Sequence, residues 1–264
     1  MMVNIRKFTG MAFRTLDELV ETETLTVQAA NFLRTCVRSN QTMIFSGVPG
    51  SGKTTLLSCC AAELDPTLRV VIAEEVFEAD IPLPNVASMQ TRDTRADRPG
   101  IDLRRLVGGF LRMAPDVAIV GEVRDREALP LMMTLSSGVT GFTTIHSGSA
   151  RQALTRLRFV CQLSEASNDI PMAALNDLVS QAIDVVVHSV RTPDGPRINQ
   201  IVCVEDLTGE AAATQFTITE VFRRNPATGR LAWTGNVPVR TAEAMSIAGY
   251  DIKDLLPTDE VVTL

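Results

Sequence analysis

Gly47-Val48-Pro49-Gly50-Ser51-Gly52-Lys53-Thr54-Thr55 stands between two apolar segments of different character. Thr42-Met43-Ile44-Phe45-Ser46 before it reads as a short buried strand, and Leu56-Leu57-Ser58-Cys59-Cys60-Ala61-Ala62-Glu63-Leu64 after it reads as a helix. Strand, glycine loop and helix form the context of a phosphate-binding P-loop. Gly47, Gly50 and Gly52 let backbone N–H groups turn inward around an anion, with Pro49 and Ser51 completing the loop. The following helix points its positive end at the same place. Lys53 is expected to reach the β- and γ-phosphates, Thr54 to hold Mg²⁺ and Thr55 to bond the α-phosphate. A glycine-rich turn before a core helix is the plainer alternative, but the full G-x-x-x-x-G-K-T spacing in this context disfavours it. The spacing therefore predicts a site for a nucleoside triphosphate, with ATP and Mg²⁺ as the expected ligands.

Outward from the loop, the chain alternates strands and helices. Upstream, Val3–Phe8 alternates weakly, Thr15-Leu16-Asp17-Glu18 is a capping box, and Thr26 opens a helix with Ala29, Ala30, Phe32, Leu33, Cys36 and Val37 at helical spacing. Downstream, strands are expected at Arg69–Ala73, Val86–Gln90, Val117–Val120, Gly141–His146 and Ile183–Val187. Helices are expected at Leu103–Met113, Arg126–Leu135 (bent at Pro130), Ser149–Val160 and Met172–Ala182, and Thr91–Asp102 reads as a polar loop. Ile198–Val204, Gln215–Phe222 and Leu231–Trp233 read as a β meander and Thr241–Ala248 as a final helix. This order implies an α/β fold with a mostly parallel sheet, whose chemistry lies at the carboxyl ends of the strands. The expected divisions are an N-terminal linker over 1–40, a core over 41–190 and a meander with helix over 191–264.

Composition narrows the function classes. A net charge of −6 argues against a dedicated nucleic-acid binder. No run approaches the roughly eighteen apolar residues of a membrane span, and the N-terminus has no signal-peptide character. The five cysteines form no C-x-x-C pair and sit in apolar patterns, which predicts reduced core thiols and a cytoplasmic setting.

Three strand ends are polar in an informative way. Glu74-Glu75-x-x-Glu78 places acids where they could hold Mg²⁺ through water or position an attacking water, although a solvated acidic turn would look the same. Val117–Val120 ends in Gly121-Glu122, which resembles a Walker B element with its acid one place later; Glu122 is a candidate to polarise water or complete the metal's surroundings. His146 ends another strand and is a candidate γ-phosphate contact. His188 is read as a structural histidine with nothing polar around it. Six arginines fall between Arg92 and Arg112. They read equally as a solvated surface, interleaved with Asp93, Asp97 and Asp102, or as a source of an arginine finger for a neighbouring subunit.

Taken in order, the P-loop, Glu74-Glu75-x-x-Glu78, Ile119-Val120-Gly121-Glu122-Val123-Arg124 and Gly141-Phe142-Thr143-Thr144-Ile145-His146-Ser147 resemble the Walker A, Asp box, Walker B and His box of the type II/type IV secretion ATPases. Ile5-Arg6-Lys7-Phe8 and Leu111-Arg112-Met113-x-Pro115-Asp116 resemble the Tad/Flp pilus assembly (CpaF-like) branch. The resemblance covers about residues 3–222. It implies a RecA-like P-loop NTPase core with a short N-terminal helical flank and a C-terminal β meander plus helix. It further implies a homohexameric ring at the cytoplasmic face of the inner membrane, docked on a membrane platform protein and coupling ATP hydrolysis to pilus assembly or protein export. By the same carry-over, Glu74 and Glu78 are Asp-box acids, Glu122 is the Walker B acid, His146 is the His-box histidine and Arg6 is the linker arginine near the nucleotide. Metal contacts would come from Thr54, Glu74 and Glu122. Members usually carry a full N-terminal domain before the Ile-Arg-Lys-Phe segment, and this chain begins almost at that segment. Glu75 stands in place of a common aspartate, Ser88 where a basic residue is expected, and Val48-Pro49 where Gly-Thr is frequent. Two alternatives remain: a nucleotide-binding relative that hydrolyses poorly and acts structurally, and a RecA-like nucleic-acid translocase.

Overall fold

The computed structural model describes residues 13–164, 170–206 and 215–256. The expected Val3–Phe8 strand and Arg6 lie outside them. Helix α1 (Leu16–Glu21) starts at the predicted capping box: the Glu18 amide donates to Thr15 Oγ1 at 3.2 Å, and the Thr15 amide donates to Glu18 Oε2 at 3.1 Å. Such a cap is worth about 1 kcal/mol. Helix α2 (Val27–Arg38) is capped by Thr26, and its six predicted apolar residues are all buried.

The remaining elements alternate. They are β1 (Met43–Gly47), α3 (Lys53–Ala61), β2 (Val70–Glu74), β3 (Val86–Gln90), α4 (Leu103–Val107), β4 (Val117–Val120), α5 (Ala128–Leu135), β5 (Thr140–Ile145), α6 (Ala150–Gln162), α7 (Met172–Ala182), β6 (Val185–Thr192), β7 (Gly195–Val204), β8 (Ile218–Arg224), β9 (Leu231–Trp233), α8 (Val239–Ile247) and α9 (Ile252–Leu255). The strands form one sheet in the order β3-β2-β4-β5-β1-β6-β7-β8-β9. It is parallel from β3 to β6 and antiparallel from β6 to β9.

Period-two alternation in the strands feeds a core on each face. Met43, Phe45, Val70, Ile72, Val117 and Ile119 pack with residues of α1, α2 and α3 and with the meander. Ile44, Val71, Ala73, Ala118, Val120 and Val186 pack with α4 through α7. Phe32 of α2 tilts on Phe222 of β8 at 5.5 Å, tying helix layer to sheet, and within the sheet Phe45 stands edge-on to Phe142 at 6.1 Å. All five cysteines are free and buried.

Four expectations change. The helix expected over Leu103–Met113 breaks into α4 and a single 3-10 turn, Phe110–Met113. Gly108 and Gly109 sit at the break, each costing about 1 kcal/mol in a helix interior, and Ala114 ends the segment in the left-handed region at φ 48°. The helix after β4 starts at Ala128, so Pro130 falls in its first turn, where its missing N–H breaks no intrahelical bond. The 91–102 segment folds back on itself through antiparallel bridges, Arg92 with Ile101 and Arg95 with Arg98. Strand β6 runs to Thr192, five residues beyond the expected end at Val187 (192 against 187), because β7 pairs with it along its length.

Candidate nucleotide-binding site

The parallel register brings the carboxyl ends of β2, β4, β5, β1 and β6 level. Ala73 pairs with Val120, Val120 with Thr143, Ser46 with Ile145 and Gly47 with Ser189. Glu74 follows Ala73, Gly121-Glu122 follows Val120, His146 follows Ile145 and the phosphate loop follows Ser46. Glu74, Glu122, His146 and the phosphate loop therefore form a row along one edge of the sheet.

The loop takes the conformation its glycines permit. Gly50 and Gly52 have φ of 75° and 83°, a region costly for other residues. Gly47 is excluded from bearing a side chain by crowding, since a Cβ there would lie 2.3 Å from the Ser189 carbonyl oxygen and 2.4 Å from Ser51 Oγ. Helix α3 begins at Lys53, placing Thr54 and Thr55 in its first turn, both half-buried.

Lys53 is nearly buried, and burial pushes its ammonium pKa down from the ordinary value; Glu122 and Glu78 oppose that shift. Its Nζ donates to the Val48 carbonyl at 3.2 Å and lies 3.2 Å from His146 Nδ1. His146 Nδ1 is also 3.2 Å from the Gly47 carbonyl, and Nε2 lies 2.9 Å from Glu122 Oε1. These contacts exclude one another by proton count. With the proton on Nε2, Nδ1 is free to accept from Lys53. With the proton on Nδ1 it donates to Gly47 instead; Glu122 Oε1 is buried and makes no hydrogen bond among the described residues, although His146 Nε2 lies 2.9 Å away. Glu122 Oε2 accepts from Arg124 Nη2 at 3.1 Å, and Arg124 Nη1 reaches Glu75 Oε2 at 3.1 Å. Charge thus runs without a gap from the P-loop lysine to the acidic turn after β2.

Glu74 is buried. Its Oε1 accepts from the Glu78 and Ala79 amides at 3.1 and 3.0 Å, while burial raises its pKa above the ordinary value against those bonds. Gly121, where a Walker B strand usually carries its aspartate, is explained by this side chain: a Cβ on Gly121 would stand 2.9 Å from Glu74 Cγ. The neighbouring strand fills that space with its own carboxylate. Glu78 is half-buried and contributes to the field at both Lys53 and Glu74.

Several residues of the site escaped the sequence reading. Arg124 lay within a quoted motif without a role. Glu127 is buried, and its Oε1 accepts from the Arg124 and Asp125 amides at 2.6 and 2.9 Å, fixing the turn after β4; its place beside the start of α5 was the available signal. Ser189 Oγ lies 3.2 Å from the Ser46 carbonyl, to which it donates, and 3.1 Å from Ser51 Oγ, with which it shares a hydroxyl contact. Pro196 and Arg191 approach Gly52 and Gly50. No local pattern marks these three, since they depend on β6–β1 register. His188 lies inside β6 rather than at its end, and it does have a polar neighbour: Ser46 Oγ is 3.0 Å from Nδ1. Burial lowers its pKa, consistent with a neutral structural imidazole. Among the described residues no three His, Cys, Asp or Glu side chains cluster as a metal site, and no helix is long and apolar enough to cross a membrane.

A phosphate loop on an α/β sheet, with acidic residues on the adjacent strand ends, defines a P-loop NTPase. Residues 1–233 match the family described as type II/IV secretion system protein, and the chain belongs to that family. It is 34% identical over 194 residues to the conjugal transfer protein TrbB of Rhizobium radiobacter, covering 72% of this chain and 56% of that protein. It is 33% identical over 160 residues to the type IV secretion system protein PtlH of Bordetella pertussis, covering 60% of this chain and 47% of that one. The structure is similar to the VirB11 ATPase of the Brucella suis type IV secretion system, solved in complex with sulphate, with a TM-score of 0.60 and 25% identity over 70% of this chain and 54% of that one. A Legionella pneumophila ATPase, DotB, shares the fold at a TM-score of 0.52 and 20% identity, covering 68% of this chain and 48% of that one. The chain spans about half the length of the relatives it matches.

Proposed function

We propose that the chain is the ATP-hydrolysing core of a motor that drives a type II/IV secretion machine, acting as a homohexameric ring docked on an inner-membrane platform from the cytoplasm. The observation that supports this most strongly is the contact row Lys53–His146–Glu122–Arg124 beside the P-loop. ATP with Mg²⁺, when bound, supplies an electrophilic γ-phosphorus and a metal that neutralises phosphate charge.

The chain's own residues do the rest. Backbone N–H groups of Gly50 to Thr55 and the start of α3 hold the phosphates. Lys53 exchanges its contacts with Val48 and His146 for phosphate oxygens. Thr54 would hold the metal through its hydroxyl, with Glu74 and Glu122 available to act on it through water. Glu122 positions the attacking water and accepts its proton, with its unbonded Oε1 as the available acceptor. Glu78 tunes the field at Lys53. Arg6 is assigned to the nucleotide as the linker arginine, and the arginines of the 92–112 arm to a neighbouring subunit.

The Ile5-Arg6-Lys7-Phe8 and Leu111–Asp116 motifs support a Tad/Flp pilus machine; the relatives named for conjugal transfer and type IV secretion support a secretion machine of their kind. Recovery of the chain with a Tad platform protein, and not with type IV secretion components, would decide for the first. A second reading is favoured by the surroundings of Glu122: with Oε2 held by Arg124 and Oε1 2.9 Å from His146 Nε2, the chain binds ATP but turns it over negligibly. ATP binding and hydrolysis measured on wild type, Lys53→Ala and Glu122→Gln separate the two. The motor reading expects turnover in wild type alone, with binding retained in the glutamine variant. Unchanged turnover in Glu122→Gln removes Glu122 from the chemistry. Salt-dependent DNA stimulation of turnover would revive the translocase.

A further inference from the structure

The nucleotide reading implies a polarity along the P-loop, and the following inference rests on that reading. Glu122, His146 and the Lys53 ammonium lie on the β4–β5 side, so the terminal phosphate belongs there. A triphosphate lying along the loop then carries its nucleoside to the opposite side, over β6. The β6–β7 hairpin bounds that side, and it is firmly held. Ser189 bonds Ser46 and Ser51. The Pro196 carbonyl accepts from Thr24 Oγ1 at 3.2 Å, and the Ile198 amide donates to the Thr24 carbonyl at 2.9 Å.

Arg191 is the exception on this anchored hairpin. It is exposed, and it forms no ion pair or side-chain hydrogen bond among the described residues. Its side chain nevertheless lies against the phosphate loop: a Cβ built on Gly50 would meet Nη1 at 3.4 Å and Cδ at 3.9 Å. Directly across the hairpin, Arg191 pairs with Pro196, whose ring approaches Gly52. A planar cation and a proline ring thus sit on paired strand positions against the loop, on the side where a nucleoside would leave it. The phosphates have other partners in the α3 amides, Lys53 and the threonines of its first turn.

We propose that Arg191 binds the nucleoside end of the ligand, its guanidinium stacking on the base of the bound nucleoside triphosphate. The residue would then set affinity for the nucleoside and leave the phosphates to the loop.

The test compares ATP with inorganic tripolyphosphate, which lacks base and ribose, by titration calorimetry on the full chain. For Arg191→Ala, at an exposed site with no side-chain hydrogen bond or ion pair among the described residues to lose, ATP affinity is expected to fall roughly tenfold while tripolyphosphate affinity stays within about twofold of wild type. Arg191→Lys keeps the charge without the plane and is expected to lose most of the same ATP affinity. Equal loss for both ligands would make Arg191 a phosphate contact and overturn the assignment. Unchanged ATP affinity in Arg191→Ala, or full ATP affinity in Arg191→Lys, would overturn it as well. Wild-type protein that binds neither ligand would instead refute the nucleotide reading of the P-loop itself.

Discussion

Toward β5 and β4, the phosphate loop faces Lys53 Nζ, His146, Glu122, Arg124 and Glu75 in an unbroken run of contacts between 2.9 and 3.2 Å. Toward β6 and β7 it faces Ser189, Arg191 and Pro196, which touch its glycines and leave no room for larger residues at Gly47. The first flank is titratable and can rearrange by exchanging partners. The second is fixed by strand register and backbone packing. On the proposed function the contrast separates two tasks: the charged flank would change during the chemical cycle, and the packed flank would keep the loop in one shape while it does so.

Substitutions on the two flanks should therefore fail differently. The largest effect is expected for Lys53→Ala, which removes a charged donor to two phosphates and lowers ATP affinity by at least about a hundredfold; calorimetry on the folded variant measures it. Glu122→Gln should keep ATP affinity and lose about a thousandfold in turnover, read from phosphate release at saturating ATP. On the packed flank, Gly47→Ala should cost about 3 kcal/mol of stability, because the clash is with the Ser189 backbone and not with a flexible side chain. Denaturant midpoints report that loss, and a variant as stable as wild type would show that β6 yields easily and would erase the contrast. Glu127→Ala should cost about 2 kcal/mol by leaving the Arg124 and Asp125 amides unpaired, with a further drop in turnover if the turn after β4 positions Glu122.

The smallest effect concerns pH. Burial raises the Glu74 pKa in the folded chain, so the folded state holds that proton more tightly than the unfolded chain does. The contribution of this carboxyl to stability is full below its ordinary value of 4.5 and is lost as pH rises through the raised folded value. Glu74→Gln keeps an acceptor for the Glu78 and Ala79 amides without the charge. Its stability relative to wild type should grow as pH rises above about 4.5. A difference that does not vary with pH would mean Glu74 is not desolvated.

The same contrast explains what could be read from the chain before folding. The P-loop strand and helix, the Thr15 capping box and the Met172–Ala182 helix depend on neighbours within a few residues, and their signals are local. The charged flank was legible because each of its acids and its histidine ends a strand, where α/β folds collect chemistry. Its connectivity was not, because Arg124 reaching both Glu122 and Glu75 requires β2 and β4 to be adjacent. The packed flank was invisible for the same reason. Ser189 and Arg191 acquire their roles from pairing of β6 with β1 and β7, partners distant in sequence. The break at Gly108-Gly109 was locally encoded but masked by the apolar period of Leu103, Leu106, Val107 and Phe110 around it.

The central claim is that Lys53, Glu122 and His146 turn over ATP within a ring of subunits. The most direct test is steady-state ATP hydrolysis by the purified chain across a range of protein concentrations, with oligomer mass followed in parallel. The account predicts a rate per subunit that rises as the hexamer forms and vanishes in Lys53→Ala. A chain that binds ATP yet hydrolyses it no faster than Lys53→Ala at every concentration, ring or no ring, would contradict it.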